Sequence, residues 1–211
     1  MLEYFLICIV RKFENAISSK QKILDAIAEM DEITFAYCTE FFIININKKT
    51  TEADIDKLRE YDLFVPFCTC DKLPEGTTGN ISTVIGEGMG IAGCHGGMCD
   101  AFRDNTEWQF ITGGQWVSHP GGDGIDYMVN IMHGSSPITQ GLEDFPVCSE
   151  HYYLHVDPAI EVLATTRFPV VNYFHSANKP VDMPVAWTKF WGNGRVFYTS
   201  LGHHDDVFDK S

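Results

Sequence analysis

Residues 88–103 constrain the fold of this chain more than any other stretch, with the sequence Gly-Met-Gly-Ile-Ala-Gly-Cys-His-Gly-Gly-Met-Cys-Asp-Ala-Phe-Arg. Small and apolar residues open it, as in a buried strand with close neighbours. Two glycines then allow a sharp turn, and residues 98–103 can start a helix. A strand, a tight turn and a helix together predict a nucleophile elbow, which exposes one side chain above a sheet.

Two residues compete for the apex of this elbow. The spacing Gly93-x-His95-x-Gly97 places His95 there, whereas Ala92-x-Cys94-x-Gly96 places Cys94 there. Neighbouring strand residues face opposite ways, so only one of the two side chains can face a site. We predict that His95 holds the apex and that Cys94 is not catalytic. An ordinary tight turn has the same local pattern, so the rest of the chain must decide whether this turn is a functional elbow.

Composition narrows the class of protein. With 211 residues and 45% apolar content, we expect one α/β domain over residues 1–211 with a sizeable core. The net charge of −14 argues against nucleic acid and against an anionic membrane surface, since both attract Lys and Arg. Seven irregularly spaced cysteines indicate free thiols in a reducing cytoplasm. Residues 1–10 resemble a first strand and not a signal peptide.

The order of elements predicts the architecture. The first half alternates strand and helix, which favours a mostly parallel sheet between helices. Ligands in such sheets bind at the carboxyl ends of the strands. The predicted strands are residues 4–10, 41–47, 62–68, 89–93, 127–132, 160–165, 183–190 and 195–201, and the predicted helices are 18–30, 51–59, 81–87, 98–103 and 105–111. Residues 113–122 and 136–145 are predicted to be loops, because glycine and proline interrupt them.

Histidines mark the candidate site. Six of the eight lie in loops or near predicted strand ends, where functional residues concentrate: His95, His119, His151, His155, His203 and His204. The carboxyl ends of the strands before His95 and His203 should lie on one face of a parallel sheet. We therefore predict that His95, His203 and Glu150 meet in space.

Two kinds of chemistry fit these residues. Neutral imidazoles with a carboxylate such as Glu150 suit zinc or a similar divalent ion. Alternatively, the histidines act as acids and bases near their ordinary pKa, oriented by Glu150 or Asp205. Loop histidines hydrogen-bonded to the backbone are the third interpretation. Flat aromatic rings, among them Tyr152 and Trp187, could form a wall on which a sugar stacks.

Five segments together resemble the trehalose-utilisation (ThuA-like) family. They are residues 90–103, 113–122, 149–158, 184–189 and 201–208. The resemblance implies a flavodoxin-like three-layer sandwich with a mostly parallel sheet, as in class I glutamine amidotransferases. In that alignment His95 stands where amidotransferases have their catalytic Cys, and His203 stands where the triad His would be. The resemblance therefore implies the fold without glutamine amidotransferase activity.

The resemblance also implies a substrate class: trehalose, a related disaccharide, or its keto form. We expect a cytoplasmic protein that acts on a small sugar through His95, Glu150 and His203, and these three residues also form the candidate divalent-metal site. The expected substrate-binding residues are His119, Tyr152, His155, Trp187 and His204. No nucleotide cofactor is expected, and a homo-oligomer is among the expected assemblies.

Two other functions stay open on the sequence. One is a Cys-dependent hydrolase or amidotransferase-like enzyme that uses Cys94 with His203. The other is a non-catalytic sugar-sensing or interaction module.

Overall fold

The structure is a computed structural model, and it describes residues 8–10, 41–43, 55–66, 69–70, 72–73, 75–134 and 136–204. The strands are β1 Cys8–Val10, β2 Phe41–Ile43, β3 Leu63–Val65, β4 Gly90–Cys94, β5 Gly114–Ser118, β6 Ile125–Ile131, β7 Phe145–Ser149, β8 Tyr153–Val156, β9 Glu161–Phe168, β10 Val181–Trp191 and β11 Gly194–Thr199. The helices are α1 Ile55–Leu58, α2 Thr77–Glu87, α3 Gly96–Cys99 and α4 Thr106–Thr112, with short 3-10 segments at Pro137–Thr139 and Phe174–Ala177.

The described strands form one large mixed sheet and one small ribbon. The large sheet has nine strands in the order β2-β1-β3-β4-β11-β10-β9-β6-β7, and β5 pairs with β8 in the ribbon. Only the pairs β3–β4 and β4–β11 are parallel in this large sheet. All its other pairings are antiparallel. The parallel part is therefore a three-strand centre inside a mostly antiparallel sheet.

The prediction of a flavodoxin-like, mostly parallel sandwich is wrong. Strands β10 and β11 show the physical reason, because only Gly192 and Asn193 separate them. Such a short turn joins antiparallel neighbours, whereas a parallel pair needs a long crossover. Gly192 has a φ of 57°, a conformation that glycine adopts readily. This Gly-Asn pair is a hairpin signal in the sequence. The first-half pairs β1–β2 and β1–β3 are also antiparallel, so the alternation of strand and helix did not fix strand direction there either.

The two strands that matter most for the site are nevertheless parallel, as predicted. Thr199 at the end of β11 pairs with Cys94 at the end of β4. The two strands therefore end side by side, and the loops that carry His95 and His203 start at neighbouring positions.

The core lies mainly where helices α2 and α4 pack on the sheet. Apolar side chains from both helices meet Phe64, Ile91 and Val196 of the central strands in one buried cluster. Helix α4 begins as predicted, with the Asn105 side chain accepting a hydrogen bond from the Trp108 N–H at 3.0 Å. A second buried cluster, with Val129 as a member, occupies the antiparallel part of the sheet. This rigid base holds the loops at the ends of β4 and β11.

Several predicted elements differ from the observed ones. Residues 113–122 contain strand β5 and are not wholly a loop, and β7 begins at Phe145 within the predicted second loop. The predicted helix over residues 18–30 lies outside the described residues.

Among the residues that the structure describes, no helix is long and apolar enough to span a membrane.

Candidate functional site

His95 forms the apex of the predicted elbow between β4 and α3. Its φ of 49° and ψ of −139° are unusual for a residue with a side chain, and such a backbone costs on the order of 1–3 kcal/mol. Neighbouring groups hold it in place, because the His95 N–H donates to Thr199 O at 2.7 Å. The Tyr198 hydroxyl donates to His95 O at 3.0 Å. A strained backbone held on both sides is typical of a functional residue.

Glycine permits the tight packing beneath this apex. A Cβ atom on Gly93 would lie 2.6 Å from the Cβ of Met98 in α3, closer than atoms can approach. The short helix therefore packs directly on the strand, and the turn between them projects the His95 side chain outward.

The neighbouring Cys94 lies outside this arrangement. Its side chain is half-buried, and burial raises the pKa of the thiol above its ordinary value. A nucleophilic cysteine needs a lowered pKa and an accessible thiolate. The prediction that Cys94 is not catalytic stays a prediction, and its environment favours it.

Three histidines surround one carboxylate oxygen. Glu150 Oε2 lies 3.1 Å from His95 Nε2 and 3.6 Å from His203 Nδ1. The third distance, to His119 Nδ1, is 3.8 Å. Glu150 itself is well shielded, with its side chain 13% exposed. The structure thus brings together the three residues proposed as catalytic, and it adds His119 to them. We call His95, His119, Glu150 and His203 the Glu150 cluster.

Each member of the Glu150 cluster comes from a different connection. His95 follows β4, His119 follows β5, Glu150 follows β7 and His203 lies beyond the end of β11. The Glu150 backbone is held in place by Tyr127, because the Tyr127 hydroxyl donates a hydrogen bond to Glu150 O at 3.0 Å. Four separate loops converge on one point, so the arrangement depends on the sheet and not on local sequence.

Two nitrogens of the cluster have no hydrogen-bond partner among the described residues. His95 Nε2 and His119 Nδ1 are both buried and unpaired. His95 Nε2 is close to Glu150, yet its N–H direction does not aim at the carboxylate. Buried polar atoms normally have partners. Each of the two nitrogens is therefore able to bind a further group, such as a cation or a substrate.

Tyr152 holds the other side of the His95 ring. Its hydroxyl lies 3.1 Å from His95 Nδ1, and the two ring centroids are 4.3 Å apart. Burial raises the pKa of the Tyr152 phenol above its ordinary value, so the phenol stays protonated. Burial, together with the nearby charges of His203, His119 and His204, lowers the pKa of His95 to about 4. His95 is therefore a neutral imidazole at physiological pH.

Aromatic rings form one wall beside the cluster. The rings of His119 and Tyr152 stack with centroids 6.1 Å apart, and Trp116 lies 5.4 Å from His119. The Arg103 guanidinium covers Trp116 at 4.2 Å from its ring centre. Flat apolar faces with polar tips are well suited to sugar rings.

The remaining predicted substrate-binding residues differ in position. His204 lies beside the cluster and contacts Asp123, with His204 Nε2 and Asp123 Oδ2 2.9 Å apart. His155 is exposed on the β5–β8 ribbon opposite Gln115. Trp187 is 0% exposed, and its Nε1 donates to Thr112 O at 2.9 Å. Trp187 therefore belongs to the core and cannot contact a substrate, which corrects its predicted role.

One residue at this site was missed in the sequence. Asp123 faces His203 and His204. A sequence signal existed for Asp123, because it is an acidic residue between Gly122 and Gly124 in a predicted loop region. Trp116, whose ring lies next to His119, is one of the aromatic residues considered for a sugar-stacking wall on the sequence.

Comparison with known proteins identifies a family. The sequence model of the trehalose utilisation family matches residues 9–211. No curated protein matches the chain.

Solved structures with the same fold include two thua-like proteins. One, from Parabacteroides merdae ATCC 43184, is 19% identical with a TM-score of 0.59, and the match covers 92% of this chain and 77% of that one. The other, from Bacteroides uniformis ATCC 8492, is 17% identical with a TM-score of 0.59, covering 90% and 77%. A cytoplasmic protein from Salmonella typhimurium LT2 is 12% identical with a TM-score of 0.55, covering 98% and 89%. At these identities the likeness concerns the fold alone.

Proposed function

The chain belongs to the trehalose-utilisation (ThuA) family, and from this we propose that it is an enzyme acting on trehalose, a related disaccharide or its keto form. Family membership links the protein to carbohydrate metabolism. The Glu150 cluster supports an active site within that role. We further propose that His95, Glu150 and His203 hold a divalent cation there. The observation that carries this proposal is the buried His95 Nε2, which has no hydrogen-bond partner although it lies 3.1 Å from the Glu150 carboxylate.

The distances within the cluster suit a cation. Ligand atoms about 2.1 Å from a tetrahedral metal ion lie about 3.4 Å from one another. The measured separations from Glu150 Oε2 are 3.1 Å to His95 and 3.6 Å to His203. The three ligand atoms all lie within 4.8 Å of one another. Two neutral imidazoles and one carboxylate are a donor set that zinc and similar ions accept.

The lowered pKa of His95 fits the same assignment. A metal binds the lone pair of an imidazole nitrogen, so a ligating histidine must be unprotonated. Tyr152 can accept the hydrogen bond from His95 Nδ1–H, which leaves the lone pair on Nε2 facing Glu150. Such outer partners commonly orient histidine ligands. Tyr152 is accordingly a positioning residue for His95.

A bound cation would act as a Lewis acid that polarises a sugar oxygen. The chain's own residues bind and orient the sugar. The half-buried rings of His119 and Trp116 offer a polar edge and a flat face on one side. The Tyr152 ring is only 4% exposed and packs against both of them. A keto sugar offers carbonyl and hydroxyl oxygens on adjacent carbons, and both can approach the cluster together. His204, which reaches the solvent, would contact the sugar from the open side.

A second candidate mechanism uses no metal. Here the Tyr152 hydroxyl donates to His95 Nδ1, and His95 Nε2–H would have to donate to the Glu150 carboxylate to give an acid–base pair. The Tyr152–His95 contact of 3.1 Å suits either tautomer of His95, so it does not separate the two mechanisms. The direction of His95 Nε2–H opposes the metal-free mechanism, because that N–H makes no hydrogen bond to Glu150. The metal and metal-free mechanisms therefore predict different results for elemental analysis.

Elemental analysis and ligand binding test the proposal. Protein purified without chelator should contain a divalent metal, and Glu150→Gln should lose the ion held at the Glu150 cluster. Trehalose or its keto derivative at about a hundred times its dissociation constant should stabilise the fold by about 2.7 kcal/mol in a thermal-shift series. His133→Asn is the matched control, since His133 is exposed and lies outside the cluster.

Two results would contradict the proposal. Metal-free protein that nevertheless turns over a sugar would favour the acid–base mechanism. Protein that binds neither metal nor sugar would favour a non-catalytic interaction module.

A further inference from the structure

A second group of possible ligands lies beside the Glu150 cluster. His204 Nε2 is 2.9 Å from Asp123 Oδ2, and His203 Nε2 is 3.8 Å from the same oxygen. One ligand atom from each of these residues lies within 4.8 Å of the other two. The two measured distances fall on either side of the separation of about 3.4 Å expected between ligands of a tetrahedral ion. We call Asp123, His203 and His204 the Asp123 group.

The two groups share the ring of His203. Its Nδ1 faces Glu150 Oε2 at 3.6 Å, and its Nε2 faces Asp123 Oδ2 at 3.8 Å. A neutral imidazole has one N–H and one lone pair. One nitrogen must therefore turn a lone pair toward a carboxylate, which is unfavourable unless a cation or a proton lies between them.

The surrounding negative charge attracts a cation to this position. Two carboxylates face one ring, and the whole chain carries a net charge of −14. The side chains of Asp123, His203 and His204 are 45%, 32% and 48% exposed. An ion at this position would keep open sites for water or for substrate oxygens, as catalytic metal sites do.

We propose that Asp123, His203 and His204 bind a second divalent cation, with His203 bridging it to the cation of the Glu150 cluster. This inference rests on the proposed function, because the bridge needs an ion on both sides of His203. On binding the second ion, His203 releases its remaining ring proton to solvent and becomes an imidazolate. The ring then donates one lone pair from each nitrogen, so no nitrogen is left facing a carboxylate unpaired.

A paired site narrows the substrate class. Two neighbouring cations can bind two oxygens of one sugar. Sugars with oxygens on two adjacent carbons should therefore bind better than sugars that offer only one free oxygen to the paired site. The keto disaccharide of the proposed function belongs to this class.

Stoichiometry of Co²⁺ binding tests the inference without any activity assay. Metal-free protein is titrated with Co²⁺ by calorimetry, and bound cobalt is counted by elemental analysis after desalting. The wild-type chain should bind two equivalents, and Asp123→Asn, His204→Asn and Glu150→Gln should each bind one. His133→Asn, an exposed histidine outside both groups, is the control and should keep two. Circular dichroism confirms that each variant is folded.

Magnetic coupling provides an independent readout. Two Co²⁺ ions joined by an imidazolate should show coupled spins in electron paramagnetic resonance. Asp123→Asn should show the signal of an isolated ion.

Each pattern of binding gives a distinct answer. One equivalent in the wild type that Asp123→Asn retains and Glu150→Gln loses would overturn the second site and leave the proposed function intact. One equivalent that Glu150→Gln retains would contradict the metal at the Glu150 cluster instead. Two equivalents without spin coupling would overturn the bridge. No bound cobalt in any variant would overturn both proposals.

Discussion

His95 Nδ1 lies 3.1 Å from the Tyr152 hydroxyl, so both ring nitrogens of the apex histidine have a defined direction. Nε2 faces Glu150, and Nδ1 is held by a buried phenol. His95 and Tyr152 come from opposite halves of the chain. The Tyr152 hydroxyl can accept from His95 Nδ1–H, as a metal-ligating Nε2 requires, or donate to Nδ1, as an acid–base role requires.

Tyr152→Phe should weaken metal binding without unfolding the protein. The substitution keeps the ring packing against His95 and removes only the hydroxyl that orients it. Loss of such an outer partner typically reduces metal affinity about 10- to 100-fold. Calorimetric titration with Zn²⁺ measures the change. Tyr153→Phe is the matched control, because Tyr153 packs against Phe168 and not against His95. Equal affinity in Tyr152→Phe and the wild type would argue against its positioning role.

Cys94 should react slowly with iodoacetamide under native conditions. It is half-buried, and burial raises its thiol pKa, so little thiolate is present near neutral pH. Cys70 and Cys148 are exposed and should be labelled first. Mass spectrometry of tryptic peptides over a time course gives the order. Rapid labelling of Cys94 with loss of sugar binding would favour the interpretation as a Cys-dependent hydrolase.

Replacing His95 should reveal the strain at the elbow. An alanine at position 95 would still have to adopt the unfavourable φ of 49°, whereas a glycine adopts that conformation readily. We expect His95→Gly to be more stable than His95→Ala by about 1 kcal/mol, while both lose the cation of the Glu150 cluster. Urea denaturation measures the difference. Equal stabilities would show that the backbone of His95 carries no strain.

Lys189 and Asp157 should matter strongly for stability. The Lys189 side chain is 6% exposed, and its Nζ donates to Asp157 Oδ2 and to Phe110 O, each at 2.6 Å. Lys189→Met leaves a shielded carboxylate without its cation, which should cost about 3 kcal/mol. The double variant with Asp157→Asn should recover part of this loss, because the uncompensated charge is gone.

The pH dependence of the same pair follows from the Asp157 carboxyl. Lys189 holds the pKa of Asp157 below its ordinary value. The carboxylate therefore contributes stability above the unfolded pKa of about 3.8, and this contribution disappears as pH falls through the lower folded value. Denaturation of Lys189→Met and the wild type across acidic pH checks it, and the gap between them should narrow as Asp157 protonates.

His151 should make the protein sensitive to mild acid. Its ring is 1% exposed and lies 3.7 Å from the Phe168 ring in a stacked pair. Burial lowers its pKa to about 4. Between pH about 6.5 and about 4 only the unfolded chain takes up this proton, so stability falls as pH falls through that window, by on the order of 3 kcal/mol.

The variant His151→Phe tests this assignment. It keeps an aromatic ring between Tyr127 and Phe168 but cannot titrate, so its stability should vary less between pH 6.5 and pH 4 than that of the wild type. His155→Asn, which changes an exposed ring, should retain the full dependence. Parallel pH profiles for His151→Phe and the wild type would assign the acid sensitivity to other groups.

The sequence alone determined the local features of this protein. The glycine-rich run of residues 88–103 specified a strand, an apex and a helix, because only small residues allow α3 to pack against β4 at Gly93. The spacing around His95 selected the apex residue correctly. The five family segments identified the trehalose-utilisation family, and the family model agrees.

Tertiary structure decided how the strands pair and what surrounds Glu150. Strand direction depends on which strands pair across the sheet, and six of its eight pairings, including the β10–β11 hairpin, are antiparallel among the described strands. The Glu150 cluster joins four loops that are far apart in sequence, so neither spacing nor periodicity could place His119 near Glu150 or Tyr152 beside His95. Long-range packing sets such contacts, because loop positions follow from the sheet that carries them. The local sequence therefore determined the elbow that presents His95, and the assembled sheet determined which side chains surround it.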